Sequence, residues 1–206
     1  MNKKLTDLTV ILDRSGSMIQ CWKEAQDGLN KFINDQKDVE GCECNFSLVE
    51  FNGSHSLVYD CVDIKEVPEY ELKPDGMTAM HDAVGWIIQN TGKRLAAMDE
   101  KDRPGKVICL IITDGQENCS REYSGSTVRG LIDRQKNDYS WEFVYIGANQ
   151  DAISTGRTLG LRSDVSVDYS IGKTDAMYQK MSSNVSNARV TGCSISFSDQ
   201  DKKDLS

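Results

Sequence analysis

The sequence contains no apolar run long enough to cross a bilayer, since a spanning helix needs about 20 consecutive apolar residues. The charged start, Met1 to Lys4, is not followed by the apolar stretch of a secretory signal but by the apolar residues of a single strand. We therefore expect a cytoplasmic protein that makes no membrane contact.

Positive charge is also in short supply. Lysine and arginine together number 24, against 32 aspartate and glutamate residues, so the formal net charge is −8. Binding to nucleic acid or to anionic lipid depends on a positive face that contacts phosphate groups. The balance disfavours unspecific binding to either partner, although it leaves room for a local basic patch.

The elements of a zinc site are incomplete. Cys42, Cys44 and Cys61 lie in one region, but neither a second C-x-x-C pair nor a cluster of histidines accompanies them. The seven cysteines are an odd number in a chain without an export signal, so we interpret them as reduced thiols. Zinc is a minor alternative on these grounds.

What the sequence does contain is an alternation of strand and helix patterns. Apolar runs and periodicity predict strands over 8–12, 45–51, 56–62, 107–112, 141–146 and 164–167, and helices over 20–37, 81–98, 127–137, 151–159 and 174–188. Asn52-Gly53 is a hairpin signal, which predicts that the second and third strands pair in antiparallel fashion at one edge.

This order predicts a doubly wound, Rossmann-like α/β fold. Strands separated by helices form a mostly parallel central sheet with helices on both faces, here with one antiparallel edge strand. We expect a single domain over 1–191, followed by a polar C-terminal tail over 192–206 that frays.

Three polar loops should meet at one edge of that sheet. Asp13, Ser15 and Ser17 leave the first strand at alternate positions, where extended backbone can direct their side chains to one point. Thr78 precedes the second long helix, and Asp114 follows the strand over 107–112. The carboxyl ends of the strands are where open α/β sheets place their ligand sites.

The chemistry of these side chains favours a hard divalent cation, which prefers carboxylate and hydroxyl oxygens, over zinc. Local roles are the alternative. Ser15 and Ser17 could cap the first helix, Asp13 could form an Asx-turn, Thr78 could be an N-cap and Asp114 a turn residue. The combination of all three loops favours the metal.

The same segments carry a family resemblance. D-R-S-G-S-M after a strand, D-G-M-T before a helix and T-D-G after a central strand together resemble the metal-ion-dependent adhesion site of the von Willebrand factor type A (vWA) domain. The resemblance covers roughly residues 4–161, and in size the chain is similar to the short, freestanding vWA domains of bacteria and phages.

The resemblance implies a role for each residue. Ser15 and Ser17 would bind the metal directly, Thr78 would do so in the ligand-competent state, and Asp13 and Asp114 would bind it directly or through water. The ion would be Mg²⁺, with Mn²⁺ or Ca²⁺ as alternatives. Because neutral hydroxyls leave the charge of the cation poorly compensated, an open coordination position would attract an Asp or Glu side chain of a protein partner.

Four further residues are candidates for supporting roles. Asp82, four residues after Thr78, could orient a ligand or its loop. Glu117 could tune the negative field at the rim of the site, and Asn149 and Gln150 could line that rim. For Asn149 and Gln150 the alternative is an Asx-turn with a helix cap.

We therefore expect a non-enzymatic, Mg²⁺-dependent protein-binding module. A Mg²⁺-dependent phosphatase-like hydrolase could use Asp13 as its nucleophile, but such enzymes need a second carboxylate two residues later, where this chain has Ser15. An RNA-binding role, which the resemblance also allows, is disfavoured by the acidic balance. Partner identity, oligomeric state and the operation of a conformational switch stay open.

Overall fold

A computed structural model describes residues 1–148 and 151–206 of the chain. In these residues the strands are β1 (Asn2–Asp13), β2 (Glu43–Phe51), β3 (His55–Asp63), β4 (Pro104–Thr113), β5 (Glu142–Ala148) and β6 (Ser166–Tyr169). The helices are α1 (Trp22–Lys37), α2 (Met80–Ala96), α3 (Gly125–Tyr139), α4 (Ala152–Thr158), α5 (Thr174–Thr191) and α6 (Asp199–Leu205). No helix in the described ranges has both the length and the apolarity needed to cross a membrane.

The strands form one sheet in the order β3-β2-β1-β4-β5-β6. Neighbouring strands are parallel except β2 and β3, which are antiparallel and flank the Asn52-Gly53 turn. The predicted fold class is confirmed: a mostly parallel α/β sheet with one antiparallel edge strand and helices on both faces.

An apolar core lies on each face of the sheet. Because alternate residues of a strand point to opposite faces, Leu8, Val10 and Leu12 of β1 pack with α1 and α5, whereas Ile11 packs with α2 and α3. Strands β1 and β4 lie in the middle of the sheet and are covered on both sides. This explains why their sequences read as continuous apolar runs.

The position of the candidate site follows from the register of β1 and β4. Leu12 pairs with Ile112 in this parallel pair, so the loops that follow the two strands leave the sheet side by side. The expected adjacency of these loops at the carboxyl edge is therefore present.

The C-terminal segment differs from the loose tail that its polarity suggested. Residues 199–205 form α6, which begins with a capping box in which Ser198 and Asp201 exchange hydrogen bonds. Ile195, Phe197 and Leu205 are buried in the core that contains α1 and α5. The expectation of fraying was wrong because three apolar residues anchor the segment, although they are too few to produce a visible period.

Candidate metal centre

The first loop is organised by Asp13, whose side chain is fully buried at the end of β1. Its Oδ1 accepts a hydrogen bond from the backbone N–H of Ser15 at 2.7 Å, and its Oδ2 accepts one from the hydroxyl of Thr113 at 2.5 Å. The first bond closes the Asx-turn that was the local alternative. Here the turn brings the loop back over the carboxyl end of β1.

The serine hydroxyls reach from this loop to the next. Ser15 Oγ lies 3.0 Å from Ser17 Oγ, and Ser17 Oγ donates to Asp114 Oδ1 at 2.7 Å. Asp114 comes from the loop after β4. The neighbouring strands thus bring residues 97 positions apart in sequence into direct contact.

None of the hydroxyls caps a helix. Ser15 precedes a short 3₁₀ helix (Gly16–Gln20) and makes no side-chain capping bond, and α1 follows Cys21 without one. Thr78 is not the N-cap of α2, because that position is Ala79. The helix-capping explanation for Ser15, Ser17 and Thr78 therefore fails.

Gly115 shows where the three loops converge. A β-carbon at this position would lie 3.2 Å from both Ser17 Oγ and Thr78 Oγ1, and 3.5 Å from Asp13 Oδ2. The three oxygens therefore border the same small volume, which any side chain larger than that of glycine would enter. The sequence places Gly115 only in a segment, 115–118, that could line the rim, because a glycine after Thr113-Asp114 looks like ordinary turn chemistry.

The environment of the site disfavours the charged form of both carboxylates. Burial raises the pKa of Asp13, against the hydrogen bonds from Thr113 and Ser15, and the charge of Asp114 raises it further. Burial also raises the pKa of Asp114, against the hydrogen bond from Ser17. Within residues 1–148 and 151–206, neither carboxylate has a Lys, Arg or His partner within 4.0 Å.

The donor set fits a hard cation. Three hydroxyls and two carboxylates are oxygen ligands of the kind that Mg²⁺ and Ca²⁺ prefer, and two acids without a cationic side chain would be compensated by a divalent ion. A cysteine-based zinc site receives no support, since the described part of the chain has no group of three or more His, Cys, Asp or Glu side chains placed to hold a metal.

Arg14 ties the first loop to the second. The backbone N–H of Asp75 donates to the carbonyl of Arg14 at 2.8 Å, and Gly16 N–H donates to the carbonyl of Gly76 at 3.0 Å. The guanidinium of Arg14 lies between Glu50, at 3.2 Å, and Asp75. Sequence reasoning gave Arg14 no role, since it stands at an unspecified position of the D-x-S-x-S pattern, between Asp13 and Ser15.

Asn118 ties the second loop to the third. Its Oδ1 accepts from the backbone N–H of Thr78 at 2.9 Å, and its own N–H donates to the carbonyl of Thr78 at 3.0 Å. A side chain and a backbone group of one residue thus hold both polar groups of the Thr78 backbone. No local signal links Asn118 to a threonine 40 residues earlier.

Glu117 and Asp82 both strengthen the connection between α2 and the loop that follows β4. Glu117 accepts hydrogen bonds from the N–H of His81 at the start of α2 and from the N–H groups of Cys119 and Ser120. Its carboxylate thus holds the loop after β4 to α2. The sequence instead suggests that Glu117 tunes the negative electrostatic field at the rim of the site.

Asp82 holds a segment of the loop between β4 and α3. Its carboxylate accepts the backbone N–H groups of Arg121, Glu122 and Tyr123 at 2.8 to 2.9 Å. Burial on its own would raise the pKa of Asp82, but these three hydrogen bonds outweigh it and hold the pKa below its ordinary value. Asn149 and Gln150, the other expected rim residues, lie outside the described residues.

Comparisons with known proteins give the fold an independent reference. No family model matches the sequence, and neither does any curated protein. Solved structures do match. The chain is similar to a von Willebrand factor type A structure from Catenulispora acidiphila, with a TM-score of 0.58 and 13% identity over 90% of this chain and 43% of that one.

Two metal-bound structures are also similar. Proximal thread matrix protein 1 from the mussel byssus, with a zinc-occupied MIDAS motif, has a TM-score of 0.63 and 14% identity over 89% of this chain and 46% of that one. The manganese-loaded TRAP protein of Plasmodium vivax has a TM-score of 0.57 and 17% identity over 84% and 72%. The chain spans less than half the length of the mussel protein, and at these identities the likeness establishes the vWA fold alone.

Proposed function

We propose that this chain is a metal-dependent protein-binding module whose carboxyl-edge site holds a divalent cation and captures an acidic side chain of a protein partner. The observation that carries the proposal is the convergence of the Ser17 and Thr78 hydroxyls with Asp13 on the volume that Gly115 leaves open. Metal-bound structures of the same fold support it.

Five side chains would hold the ion. Ser15, Ser17 and Thr78 would supply neutral oxygens, and Asp13 and Asp114 would bind the ion directly or through its waters. Mg²⁺ is the ion we favour, because it binds oxygen and retains exchangeable waters, with Mn²⁺ and Ca²⁺ as alternatives. Its charge would relieve the unfavourable proximity of the buried Asp13 and the half-buried Asp114.

Protein binding follows from the ligand types. Because three of the five side chains are neutral, the bound cation would retain enough positive character to attract a carboxylate at an exchangeable position. Asp or Glu on a partner is the side chain that meets this demand. The overall negative charge of the module means that such an attraction would be local to the metal.

Asp13 is poorly suited to the alternative role of a hydrolase nucleophile. Its side chain is fully buried, and each of its oxygens accepts a hydrogen bond, from Ser15 N–H and from the Thr113 hydroxyl. The position two residues later, where a general acid or base would stand, is Ser15. These contacts favour an organising role over attack on a substrate.

Metal titration tests the site directly. We expect Mn²⁺, followed by electron paramagnetic resonance or calorimetry, to bind wild type, and Ser15→Ala or Thr78→Ala to weaken binding by about tenfold or more. Ser183→Ala is the matched control, since Ser183 is an exposed serine of α5. Equal Mn²⁺ affinity in all four proteins would contradict the proposal.

Partner capture tests the function. Wild type and Ser15→Ala serve as bait in lysate of the source cell, each with Mg²⁺ or with EDTA. A true partner is retained only by wild type with Mg²⁺ and is lost when its own Asp or Glu is changed to the amide. Steady Mg²⁺-dependent phosphomonoester turnover that Asp13→Asn abolishes would instead establish the hydrolase, and a salt-dependent shift of labelled RNA would establish the RNA-binding alternative.

A further inference from the structure

A groove of about 630 Å³ lies at the amino edge of the sheet, opposite the candidate metal centre. It opens between the C-terminal halves of α2 and α3. Leu95, Val107 and Trp141, all largely buried, provide apolar surface at its base, and Leu131 and Tyr139 of α3 provide more along one side.

Gly92 leaves this groove unobstructed. A β-carbon at Gly92 would meet only Gln135 Nε2, at an ordinary 3.7 Å, whereas a β-carbon at Gly85 of the same helix would lie 2.4 Å from Tyr123 Cδ1. Close packing therefore requires glycine at position 85 but not at position 92. Glycine inside a helix is unfavourable, so Gly92 is a helical glycine without a packing reason, and it lies on the groove.

The lining of the groove is positively charged, whereas the chain as a whole carries a net negative charge. Its charged residues are Lys93 from α2, Arg103 from the segment before β4 and Arg134 from α3, with no Asp or Glu among the described lining residues, in a chain of net charge −8. In residues 1–148 and 151–206 neither Lys93 nor Arg103 has a carboxylate within 4.0 Å, and Arg134 is 3.9 Å from Asp138 in an exposed pair of little strength.

We propose that this groove binds an acidic amphipathic segment of a protein partner. The apolar side chains of that segment enter between α2 and α3, and its Asp or Glu residues face Lys93, Arg103 and Arg134. The cations come from three different elements around one apolar floor. A peptide with several acids complements this arrangement better than a molecule with one anionic group does, and a peptide in a helical groove presents apolar residues at regular spacing.

The test uses random peptides of about twelve residues displayed on phage, selected against the full chain in EDTA so that the metal site makes no contribution. Clones are then made as fluorescent peptides and titrated by anisotropy. Gly92→Leu fills the groove, and Gly130→Leu is the matched control, because Gly130 is an exposed glycine of α3 with nothing within 4 Å of its β-carbon and no part in the groove.

We expect groove-dependent peptides rich in Asp, Glu and large apolar residues. Their binding should weaken about tenfold or more in Gly92→Leu, remain unchanged in Gly130→Leu, and weaken in the double variant Lys93→Glu, Arg134→Glu by an amount that shrinks as salt is added. Thermal unfolding of each variant establishes that it is folded. Ser15→Ala should bind these peptides as wild type does, so the result is separate from the function proposed for the metal site.

Three results would overturn the proposal. Selection could yield no peptide that binds Gly92→Leu more weakly than Gly130→Leu. It could also yield such peptides, but without an enrichment of Asp and Glu. Sedimentation could show that wild type self-associates and that Gly92→Leu alone abolishes this, which would identify a second copy as the occupant. Groove-dependent binding of dodecanoate, without any groove-dependent peptide, would identify a small amphiphile.

Discussion

β1 carries two buried carboxylates, one in the middle of the strand and one at its carboxyl end, and their surroundings differ. Asp7 is 1% exposed and Asp13 0%. Two guanidinium nitrogens of Arg94 donate to Asp7, at 2.9 and 3.1 Å. Asp13 accepts only from neutral donors, Ser15 N–H and the Thr113 hydroxyl, among the contacts described for it, and lies beside a second acid, Asp114.

The difference separates a structural charge from a candidate binding site. A buried ion is unfavourable unless an opposite charge accompanies it. For Asp7, in the middle of β1, the chain supplies that charge through Arg94 of α2. At the carboxyl end the described residues supply hydroxyls, and our proposal assigns the missing charge to a metal ion. Burial alone would not distinguish Asp7 from Asp13, whereas the partners of each do.

The largest expected effect comes from breaking the Asp7–Arg94 pair. Arg94→Met leaves Asp7 buried without a partner, which should lower the free energy of unfolding by about 3–5 kcal/mol. Urea unfolding in EDTA measures it. Arg129→Met is the control, since Arg129 forms an exposed pair with Asp133 and should change stability by less than about 0.5 kcal/mol. An Arg94→Met loss below about 1 kcal/mol would mean that Asp7 is not held by this pair.

The next prediction concerns Asp13, at the carboxyl end of β1. Removal of its charge should not destabilise the chain in EDTA, in contrast to removal of the partner of Asp7. Asp13→Asn removes a buried charge that has no cationic side-chain partner, so stability in EDTA should stay equal or rise by about 1 kcal/mol. The same variant should lose the stabilisation by Mg²⁺, which for wild type at 100 times Kd is about 2.7 kcal/mol. Thermal or urea unfolding with and without Mg²⁺ measures both quantities.

Asp60→Asn, an exposed acid of β3, is the control for that comparison. Its unfolding with and without Mg²⁺ should match that of wild type. If Asp13→Asn destabilised the chain in EDTA by about 2 kcal/mol or more, the carboxylate would be a structural charge like Asp7, and the contrast between the two carboxylates of β1 would disappear.

A third prediction concerns the carboxylate that orders the loop after β4. Because hydrogen bonds lower the folded pKa of Asp82, its stabilisation is complete above the pKa of the unfolded carboxyl, near 3.8, and is lost as pH falls through the lower folded value. Asp82→Asn cannot titrate. Its unfolding free energy should therefore fall less than that of wild type below about pH 4.

Urea unfolding from pH 7 to pH 2.5 provides the measurement, and Asp82→Ala calibrates it. Loss of the acceptor for three backbone N–H groups should lower the unfolding free energy by about 1–3 kcal/mol at neutral pH. Parallel pH profiles of wild type and Asp82→Asn would show that the charge of Asp82 is not linked to folding.

The smallest expected effect contrasts two glycines on one helix. Gly92→Ala should raise stability by about 0.5–1 kcal/mol, because helix propensity improves and the β-carbon has space. Gly85→Ala should instead lower it, since Tyr123 must move to admit the β-carbon. Thermal unfolding of both variants checks this pair. A destabilised Gly92→Ala would mean that the groove does not have the free space described.

Much of the fold was predictable because its signals are local. Apolar runs marked β1 and β4, the Asn52-Gly53 turn marked the antiparallel edge, and helical periodicity marked α2 and α5. β1 extends well past its predicted bounds, since polar residues such as Asn2 and Thr6 pair with β4 without contributing to an apolar pattern. Weakly apolar segments escaped this logic, as α6 did.

The sequence alone determined the class of fold and proposed which oxygens form the site, since the alternation of strands and helices and the D-x-S-x-S spacing are written in short stretches of chain. Only the tertiary structure decided that Gly115 shapes the shared volume, that Asn118 holds Thr78, that Arg94 neutralises Asp7 and that α2 and α3 leave a cationic groove. The physical reason is that these features join residues tens of positions apart. Local sequence patterns do not reveal contacts between residues so far apart in the chain. Such contacts form only when the helices pack on the sheet.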